Sequence, residues 1–260
     1  MDFIVIGAKK GGTTYLHHQV KILKNFYVPP FKEIHFLLPL PVAKRRLKTH
    51  FSKFVDNPHK LEDRDYVFAK NYFLSYKENN VPNFLSLFEM NDDKRSGEVD
   101  PELLLLKKET IAELYRHNPK LKIIILLRDP TERFFSHIKM VTKDISVNTN
   151  DIIRQNLNKF GHQILHSKYS IFIPKWENEF PTENILYISS EELKNNKFET
   201  VSRITKFIDP KSSEIRRDEI IDDQEIGHTK YRLDPTLRAK LGAFFSDDVK
   251  FMNRRLAQVD

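Results

Sequence analysis

The sequence predicts an α/β protein with a P-loop-like three-layer fold, in which helices flank a central parallel sheet. Residues 2–6 form an apolar, β-branched run that leads into a glycine-rich turn and then into a helix-compatible segment. Residues 121–127 form a continuous apolar run, which is typical of a strand buried on both faces in a parallel sheet. Helical segments separate the predicted strands, and such crossovers join parallel strands.

The first half of the chain gives the predicted elements in order. The strand at 2–6 and the turn after it lead into a helix at 13–24. A short second strand at 26–28 ends at two prolines, which cannot donate to a sheet ladder. Residues 42–90 are polar, with apolar residues at helical spacing, and are predicted to be mostly helical. A short strand is predicted at 95–99.

The second half continues the alternation. A helix at 108–117 ends near Asn118-Pro119, and the strongest strand follows at 121–127. Proline in the first turn supports a helix at 130–143. The remaining predicted elements are a helix at 168–179, a strand at 185–188, and helices at 198–208 and 235–256.

Composition limits the class of protein. The chain has 260 residues, of which 40% are apolar and 30% charged, as expected for a soluble globular protein. No run reaches the roughly 18–20 apolar residues that span a bilayer. Met1 leads directly into the first strand, so no secretory signal is expected. The absence of cysteine excludes disulfides and thiolate metal sites and favours a cytoplasmic location.

The net charge of +7 favours anionic ligands but does not identify them. The most basic stretch is residues 44–48, Lys-Arg-Arg-Leu-Lys. Such a stretch is either a solvated helix face or a landing surface for an anionic acceptor. Because no base-reading motif accompanies it, nucleic acid is not an expected partner.

The turn at residues 7–14 nearly matches the P-loop pattern G-x-x-x-x-G-K-[ST]. Gly7, Gly12 and Thr14 fit the spacing, but Thr13 stands where the lysine belongs. The lysine precedes the glycines instead, at Lys10. Backbone N–H groups and the helix dipole at such a turn bind phosphate. The predicted anion-binding residues of this turn are Lys9, Lys10, Gly11, Gly12, Thr13 and Thr14.

A second anion-binding motif follows the central strand. Arg128 leaves that strand at its carboxyl end, and Ser136 lies about two turns into the next helix. A guanidinium fork and a hydroxyl group form a good phosphate grip. Taken alone, the Arg-Asp-Pro turn is equally well explained as a helix start with a local salt bridge.

Together the two motifs resemble the two cofactor motifs of sulfotransferases that use 3′-phosphoadenylyl sulfate (PAPS). The heparan-sulfate-type and related bacterial carbohydrate sulfotransferases are most similar, because their first loop also reads Lys-Gly-Gly-Thr. The resemblance continues in a Lys-Glu-x-His-Phe element at 32–36 and a Gly-Glu-x-x-Pro element at 97–101. Further similar segments lie at 167–176, at 185–193 and at 228–235.

The resemblance implies specific roles. The first loop is expected to hold the 5′-phosphosulfate, with Lys10 neutralising charge on the leaving phosphate. Arg128 and Ser136 are expected to hold the 3′-phosphate. Tyr169 is either a further 3′-phosphate contact or a packing residue, and Lys230 lies in a loop expected to cover the cofactor.

The base that takes the acceptor's proton is expected to be Glu33, at the position matching the family element. Its aromatic neighbours Phe31 and Phe36 are expected to raise the pKa of the carboxyl. His35 is the candidate for orienting that base or sharing its charge, although a packed structural histidine fits equally well. No metal is expected, because lysine and backbone donors hold the leaving nucleotide.

Two departures from the family pattern concern acceptor handling and the late loop. Val99 and Asp100 replace the lysine and the hydroxyl residue of the Gly-Glu-Lys-[Ser/Thr]-Pro element. The late loop also lacks the family's Gly-Arg pair and its flanking disulfide. The resemblance implies one domain over 1–260, with 38–95 as a helical insertion that contributes to the acceptor site.

The leading hypothesis is therefore sulfuryl transfer from PAPS, with release of the bisphosphate PAP, to a carbohydrate or another acceptor with a hydroxyl or amine. Two alternatives remain open. A P-loop kinase or NTPase fits the opening turn but lacks the lysine after the glycines. A non-catalytic polyanion binder fits the charge and predicts binding with a steep salt dependence. The sequence does not define an oligomeric state.

Overall fold

The computed structural model describes residues 1–56, 62–75, 80–89, 93–142, 148–212, 214–222 and 233–258. Five strands form one sheet in the order β2-β3-β1-β4-β5, and every neighbouring pair is parallel. The strands are β1 (Phe3–Ile6), β2 (Phe26–Tyr27), β3 (Arg95–Val99), β4 (Lys122–Leu127) and β5 (Ile185–Ser189). The predicted parallel sheet is thus confirmed, and all five predicted strands are present.

Helices fill the crossovers between these strands. Before β3 the described helices are α1 (Thr13–Ile22), α2 (Leu40–Asp56), α3 (Asp63–Ser75) and α4 (Val81–Ser86). Between β3 and β5 they are α5 (Lys108–His117), α6 (Pro130–Val141), α7 (Thr149–Asn156), α8 (Gly161–Leu165) and α9 (Tyr169–Glu177). After β5 they are α10 (Ser190–Asn195), α11 (Lys197–Ile208), α12 (Pro235–Phe244) and α13 (Ser246–Leu256).

Successive side chains of the central strands point to opposite faces of the sheet, and helices cover both faces. Ile4 and Ile6 of β1 point into one core, which α3, α4, α5 and α9 cover. Phe3 and Val5 point to the opposite face, into a core shared with α1 and α11. Because successive strand residues face opposite sides, a fully apolar strand packs helices on both. The three-layer prediction is confirmed.

The structure corrects one helical prediction and adds two helices. The predicted helix at 235–256 is two helices, because Phe245 leaves helical geometry and is fully buried against Phe134, with 5.8 Å between ring centroids. Helices α7 and α8 were not predicted. Ile153 of α7 and the partly buried Ile164 of α8 join a small separate core beside α6 and α12.

Three strand ends meet at the carboxyl edge of the sheet. The turn beginning at Gly7 follows β1, Asp100 follows β3, and Arg128 follows β4. In parallel sheets this edge is where ligands bind. Among the described helices, none has the length and apolar character needed to cross a membrane.

Candidate active site

The opening turn forms a backbone cradle at the start of α1. Gly7 and Gly12 have φ values of 56° and 107°, in the left-handed region that favours glycine. The N–H of Gly11 donates to the carbonyl of Ala8 at 2.7 Å and closes the turn. Helix α1 begins directly afterwards, at Thr13. Its free N–H groups and dipole therefore face the carboxyl edge of the sheet, where they favour an anion.

Lys10 lies among other cations in this cradle. Burial lowers the pKa of Lys10, and the charges of Arg128 and Lys32 lower it further. The Arg128 guanidinium donates to the Lys10 carbonyl at 2.8 Å, which links the ends of β1 and β4. A bound anion would relieve the repulsion among these cations.

A second loop, residues 32–35, faces the cradle and is held by carboxylates of β3 and its end. The N–H of Ile34 donates to Glu98 Oε1 at 3.1 Å. The N–H of His35 donates to Asp100 Oδ2 at 3.0 Å. Burial and then the neighbouring Asp100 raise the pKa of Glu98 well above its usual range. The short loop is therefore fixed by the strand beside it.

Positive φ marks three non-glycine residues in the described part of the chain: Lys10 at 72°, Glu33 at 60° and His35 at 56°. Such conformations cost about 1–3 kcal/mol each and cluster at functional sites. These are the three residues that the sequence motifs predicted as catalytic.

The Glu33 carboxylate is ion-paired on both oxygens. Lys32 pairs with Oε1, and Arg46 of α2 donates to Oε2 at 2.9 Å. Burial on its own raises the pKa of Glu33, but the charge and hydrogen bond of Lys32, followed by Arg46, outweigh it and lower the pKa. The expectation of a raised pKa was therefore wrong, because it considered the aromatic residues and missed these cations.

His35 is oriented by the residue that departs from the family pattern. Its Nδ1 lies 2.7 Å from Asp100 Oδ2, and Asp100 is fully buried. A carboxylate on Nδ1 fixes the ring's orientation and leaves Nε2 as the nitrogen available to a ligand. Asp100 therefore acts on both the backbone and the ring of His35.

The second anion motif adjoins the cradle. Asp129 caps α6 by accepting from the N–H of Glu132 at 2.9 Å, as a helix-start residue does. Ser136 lies on the cavity-facing side of this helix. Tyr169 is fully buried and donates its hydroxyl to the Arg128 carbonyl at 2.9 Å. Tyr169 thus lies behind Arg128 and supports its backbone.

Arg133 of α6 is completely buried behind this motif. Its Nε donates to Ser167 Oγ at 2.6 Å, and its NH1 lies 3.2 Å from His137 Nδ1. Burial lowers the pKa of Arg133 to about 10. These contacts fix α6, and with it Ser136, against the segment that leads into α9.

One cavity of about 910 Å³ joins the cradle, the 32–35 loop and Ser136. Among the described residues that line it, Arg128 and Tyr169 are not included. The cradle lies on one side, the 32–35 loop and α2 on another, and α6 and α8 on a third. Eight predicted site residues line it: Lys9, Lys10, Gly12, Thr13, Thr14, Glu33, His35 and Ser136. Gly11 is buried within the same turn. Lys230 lies outside the described residues.

Several lining residues were not predicted. Arg46 belonged to the basic stretch, but nothing in the sequence indicated that it reaches Glu33. Glu102 pairs with Lys9 and accepts from His166 at 2.9 Å, with His162 at 3.4 Å. The sequence showed both His35 and the departure at Asp100, but it did not indicate that the two side chains pair.

The group formed by Glu102, His162 and His166 brings three possible metal-ligand atoms within 4.8 Å of one another. The Lys9 ammonium, however, forms an ion pair with the Glu102 carboxylate. His166 Nδ1 is buried and lacks a partner in the described part of the structure. A metal-bound histidine usually donates from that nitrogen to an acceptor. The group fits a polar cavity wall better than a metal centre.

A parallel α/β sheet with a cationic, glycine-lined cradle at its carboxyl edge, opposite a carboxylate and an imidazole, defines a transferase that acts on an anionic nucleotide. The family model described as "Sulfotransferase domain" matches residues 1–234. The chain therefore belongs to the sulfotransferase family of PAPS-dependent enzymes. No curated protein sequence matches it.

Solved structures agree on the fold. A sulfotransferase from Alicyclobacillus acidocaldarius aligns with a TM-score of 0.63 at 20% identity, covering 99% of this chain and 95% of that one. The sulfotransferase domain of the Synechococcus PCC 7002 olefin synthase gives 0.58 at 13% identity, covering 98% and 94%. Mouse sulfotransferase SULT7A1 complexed with PAP gives 0.54 at 13%, covering 96% and 84%.

Proposed function

We propose that this sulfotransferase moves a sulfuryl group in line from PAPS to a hydroxyl or amine of an acceptor. The bond from sulfur to the 5′-phosphate oxygen breaks, a bond from sulfur to the acceptor atom forms, and PAP leaves. The observation that carries the proposal is the single cavity in which the cationic cradle of Lys10 faces Glu33 and His35.

The donor side has three tasks. Lys10 and the N–H groups of residues 11–14 stabilise charge on the leaving phosphate oxygen. Ser136 and Arg128 bind the 3′-phosphate, and Tyr169 positions Arg128 from behind. Lys230 is proposed to contact the nucleotide. The PAP complex of the mouse neighbour supports this choice of donor.

On the acceptor side, Glu33 takes the proton. Its lowered pKa keeps it ionised, as a base must be before the reaction. The Glu33 carboxylate is, however, a weak base while Lys32 and Arg46 are paired with it. An anionic nucleotide offers Lys32 another partner, and that exchange strengthens Glu33 when the donor is bound. His35, held by Asp100, orients the acceptor or shares the charge.

The acceptor is proposed to be a carbohydrate or glycoconjugate. Residues 38–95 contribute to its site as a helical insertion in one domain that spans 1–260. Support comes from Val42, Arg45 and Arg46, which bring α2 to the cavity wall beside Glu33. We also propose that transfer needs no metal and takes place in the cytoplasm, consistent with a chain without cysteine.

The proposal is tested with labelled PAPS and a panel of glycans, phenols and amines. Lys10→Ala and Glu33→Gln should each lower kcat by about 100-fold or more, since each removes a group acting on the transition state. Glu109→Gln, at an exposed position of α5, is the control. A chain that turns over ATP with magnesium and ignores PAPS would be a kinase or NTPase instead.

The role of Glu33 is separated from that of His35 by pH profiles. If Glu33 is the base, Asp100→Asn lowers kcat but leaves the acidic limb of the profile in place. If that limb moves with Asp100→Asn and survives in Glu33→Gln, His35 is the proton acceptor and the Glu33 assignment is wrong.

A further inference from the structure

Exposed apolar side chains are concentrated on two helices. Among the described residues, twelve large hydrophobic side chains are exposed, and six of them lie on α2 and α3. These two helices have 17 and 13 residues, a small part of the chain. Leu74 is the most exposed of the twelve, at 68%. Apolar residues gathered in this way indicate an interaction surface.

Four of these six exposed residues form one pair on each helix. Phe51 and Val55 lie four residues apart on α2, and Val67 and Leu74 lie seven apart on α3, so each pair shares a helix face. Phe73 joins the helices, with its ring centroid 5.1 Å from that of Phe51. A different side of each helix is already buried, through Ala43 and His50 on α2 and through Phe68 and Tyr72 on α3.

Lysines are interleaved with this apolar surface. Lys44 and Lys48 lie on the same side of α2 as Phe51, and Lys70 lies between Val67 and Leu74 on α3; all three are exposed. The described acidic residues at the N-terminal end of α3 are Glu62, Asp63 and Asp65. Glu62 and Asp63 are exposed, whereas Asp65 is buried near Lys21. We call Phe51, Val55, Val67, Leu74, Lys44, Lys48 and Lys70 the α2–α3 face.

We propose that the α2–α3 face docks on an anionic lipid surface. Aromatic and aliphatic side chains enter the headgroup boundary, while lysines bind the lipid phosphates, as on interfacial amphipathic helices. A second copy of the chain is a poorer occupant. Two such faces packed together would oppose lysine with lysine.

Docking would place the cavity at the membrane. Arg45 and Arg46 project from the same helix, α2, into the cavity wall beside Glu33. Because Arg46 and Val55 lie on opposite sides of α2, a docked α2 would hold the cavity one helix diameter, about 10 Å, from the headgroups, where a lipid-linked acceptor would be sulfated. This consequence rests on the proposed function, whereas the docking itself does not.

The test is flotation of the full chain with vesicles of phosphatidylcholine alone or with about 30% phosphatidylglycerol. Binding should require the anionic lipid and weaken as salt rises from about 0.05 M to about 0.5 M. Lys44→Gln with Lys48→Gln should weaken it by 10-fold or more, at about 5-fold per lysine. Lys120→Gln with Lys240→Gln is the charge-matched control, since both are exposed elsewhere.

The apolar part is tested with Leu74→Glu, which should abolish binding, against Ile171→Glu on α9, which is 55% exposed and should not. Thermal unfolding and PAP binding of each variant check that the fold is intact. If PAP is not bound, the proposed function fails and docking still stands. Equal flotation with neutral vesicles, equal loss in the controls, or a dimer that Leu74→Glu dissociates would overturn the proposal.

Discussion

At the scale of single residues, left-handed backbone falls on the side chains proposed to carry the chemistry. Lys10, Glu33 and His35 adopt φ values that ordinary residues avoid. The surroundings hold them there: Arg128 bonds the Lys10 carbonyl, and Asp100 bonds the His35 N–H. Strain kept at these three positions indicates that side-chain placement, and not stability, determines their conformation.

This strain predicts an opposition between stability and activity at Lys10. Lys10→Gly and Lys10→Ala both remove the ammonium that Arg128 and Lys32 repel. The glycine variant also relieves the positive φ, so it should be more stable than the alanine variant by about 1 kcal/mol. Both should lose transfer activity. Chemical denaturation measures the difference, and equal stabilities would show that the φ of 72° is not strained.

Buried histidines predict acid sensitivity. Burial lowers the pKa of His17 to about 4 and that of His50 to about 3, from about 6.5. The unfolded chain therefore binds protons before the folded one does. The free energy of unfolding should fall as the pH drops from 6.5 towards 4. Each histidine should contribute up to about 1.4 kcal/mol for each pH unit.

The contribution of His50 can be isolated. It stacks on Phe31 with 4.9 Å between ring centroids, and its Nδ1 is buried without a partner among the described atoms. His50→Phe should keep the stacking and reduce the slope of unfolding free energy against pH over this window. An unchanged slope would mean that His50 is not the titrating group.

Residue motifs could predict much of the candidate site because they concern local backbone chemistry. The glycine turn, the Arg128–Ser136 spacing and the Glu33–His35 pair are all readable within short segments. The residues that pair with Glu33, His35 and Lys9 could not be read from the sequence. These partners, Arg46, Asp100 and Glu102, come from other segments of the chain. The wrong expectation for the Glu33 pKa arose from this gap.

At the scale of elements, the approach of β3 to β1 depends on one glycine. Gly97 pairs in register with Phe3. A Cβ at Gly97 would lie 2.3 Å from the Phe3 carbonyl oxygen and 2.6 Å from two of its ring carbons. The neighbouring strand leaves no space for a side chain. Because β3 carries Glu98 and leads into Asp100, this contact also positions the 32–35 loop.

Gly97→Ala should therefore destabilise the protein by about 2 kcal/mol or more through overpacking. Gly242→Ala, inside α12 with open space around its Cβ, is the matched control and should stabilise it by up to about 1 kcal/mol. Thermal and denaturant unfolding provide both values. A Gly97→Ala variant as stable as the parent would mean that β3 can move away from β1.

Element prediction succeeded where apolar periodicity and proline or glycine boundaries coincide, as at β4 and at the proline that begins α6. It failed at Phe245, where no glycine or proline marks the break. Burial of that ring beside Phe134 interrupts an otherwise helical sequence. Tertiary packing of this kind is not encoded in local propensity.

At the scale of the whole molecule, the strand order assembles the site. Placing β1 between β3 and β4 brings the opening cradle between Asp100 and Arg128. The sequence predicted parallel strands but not this order, because pairing depends on contacts between segments far apart. The same arrangement sets α2 beside the cavity, with Arg46 on Glu33 and the α2–α3 face turned outward.

The central claim is that this cavity recognises a nucleotide carrying both 5′- and 3′-phosphates. Calorimetric titration with PAP and with AMP, which lacks the 3′-phosphate, tests it most directly. PAP should bind about 10-fold or more tightly than AMP, since charge-assisted contacts are worth about 1.5–3 kcal/mol. Ser136→Ala should reduce that ratio, and Lys10→Ala should weaken both ligands. Equal affinities for PAP and AMP, or no binding of either, would contradict the account.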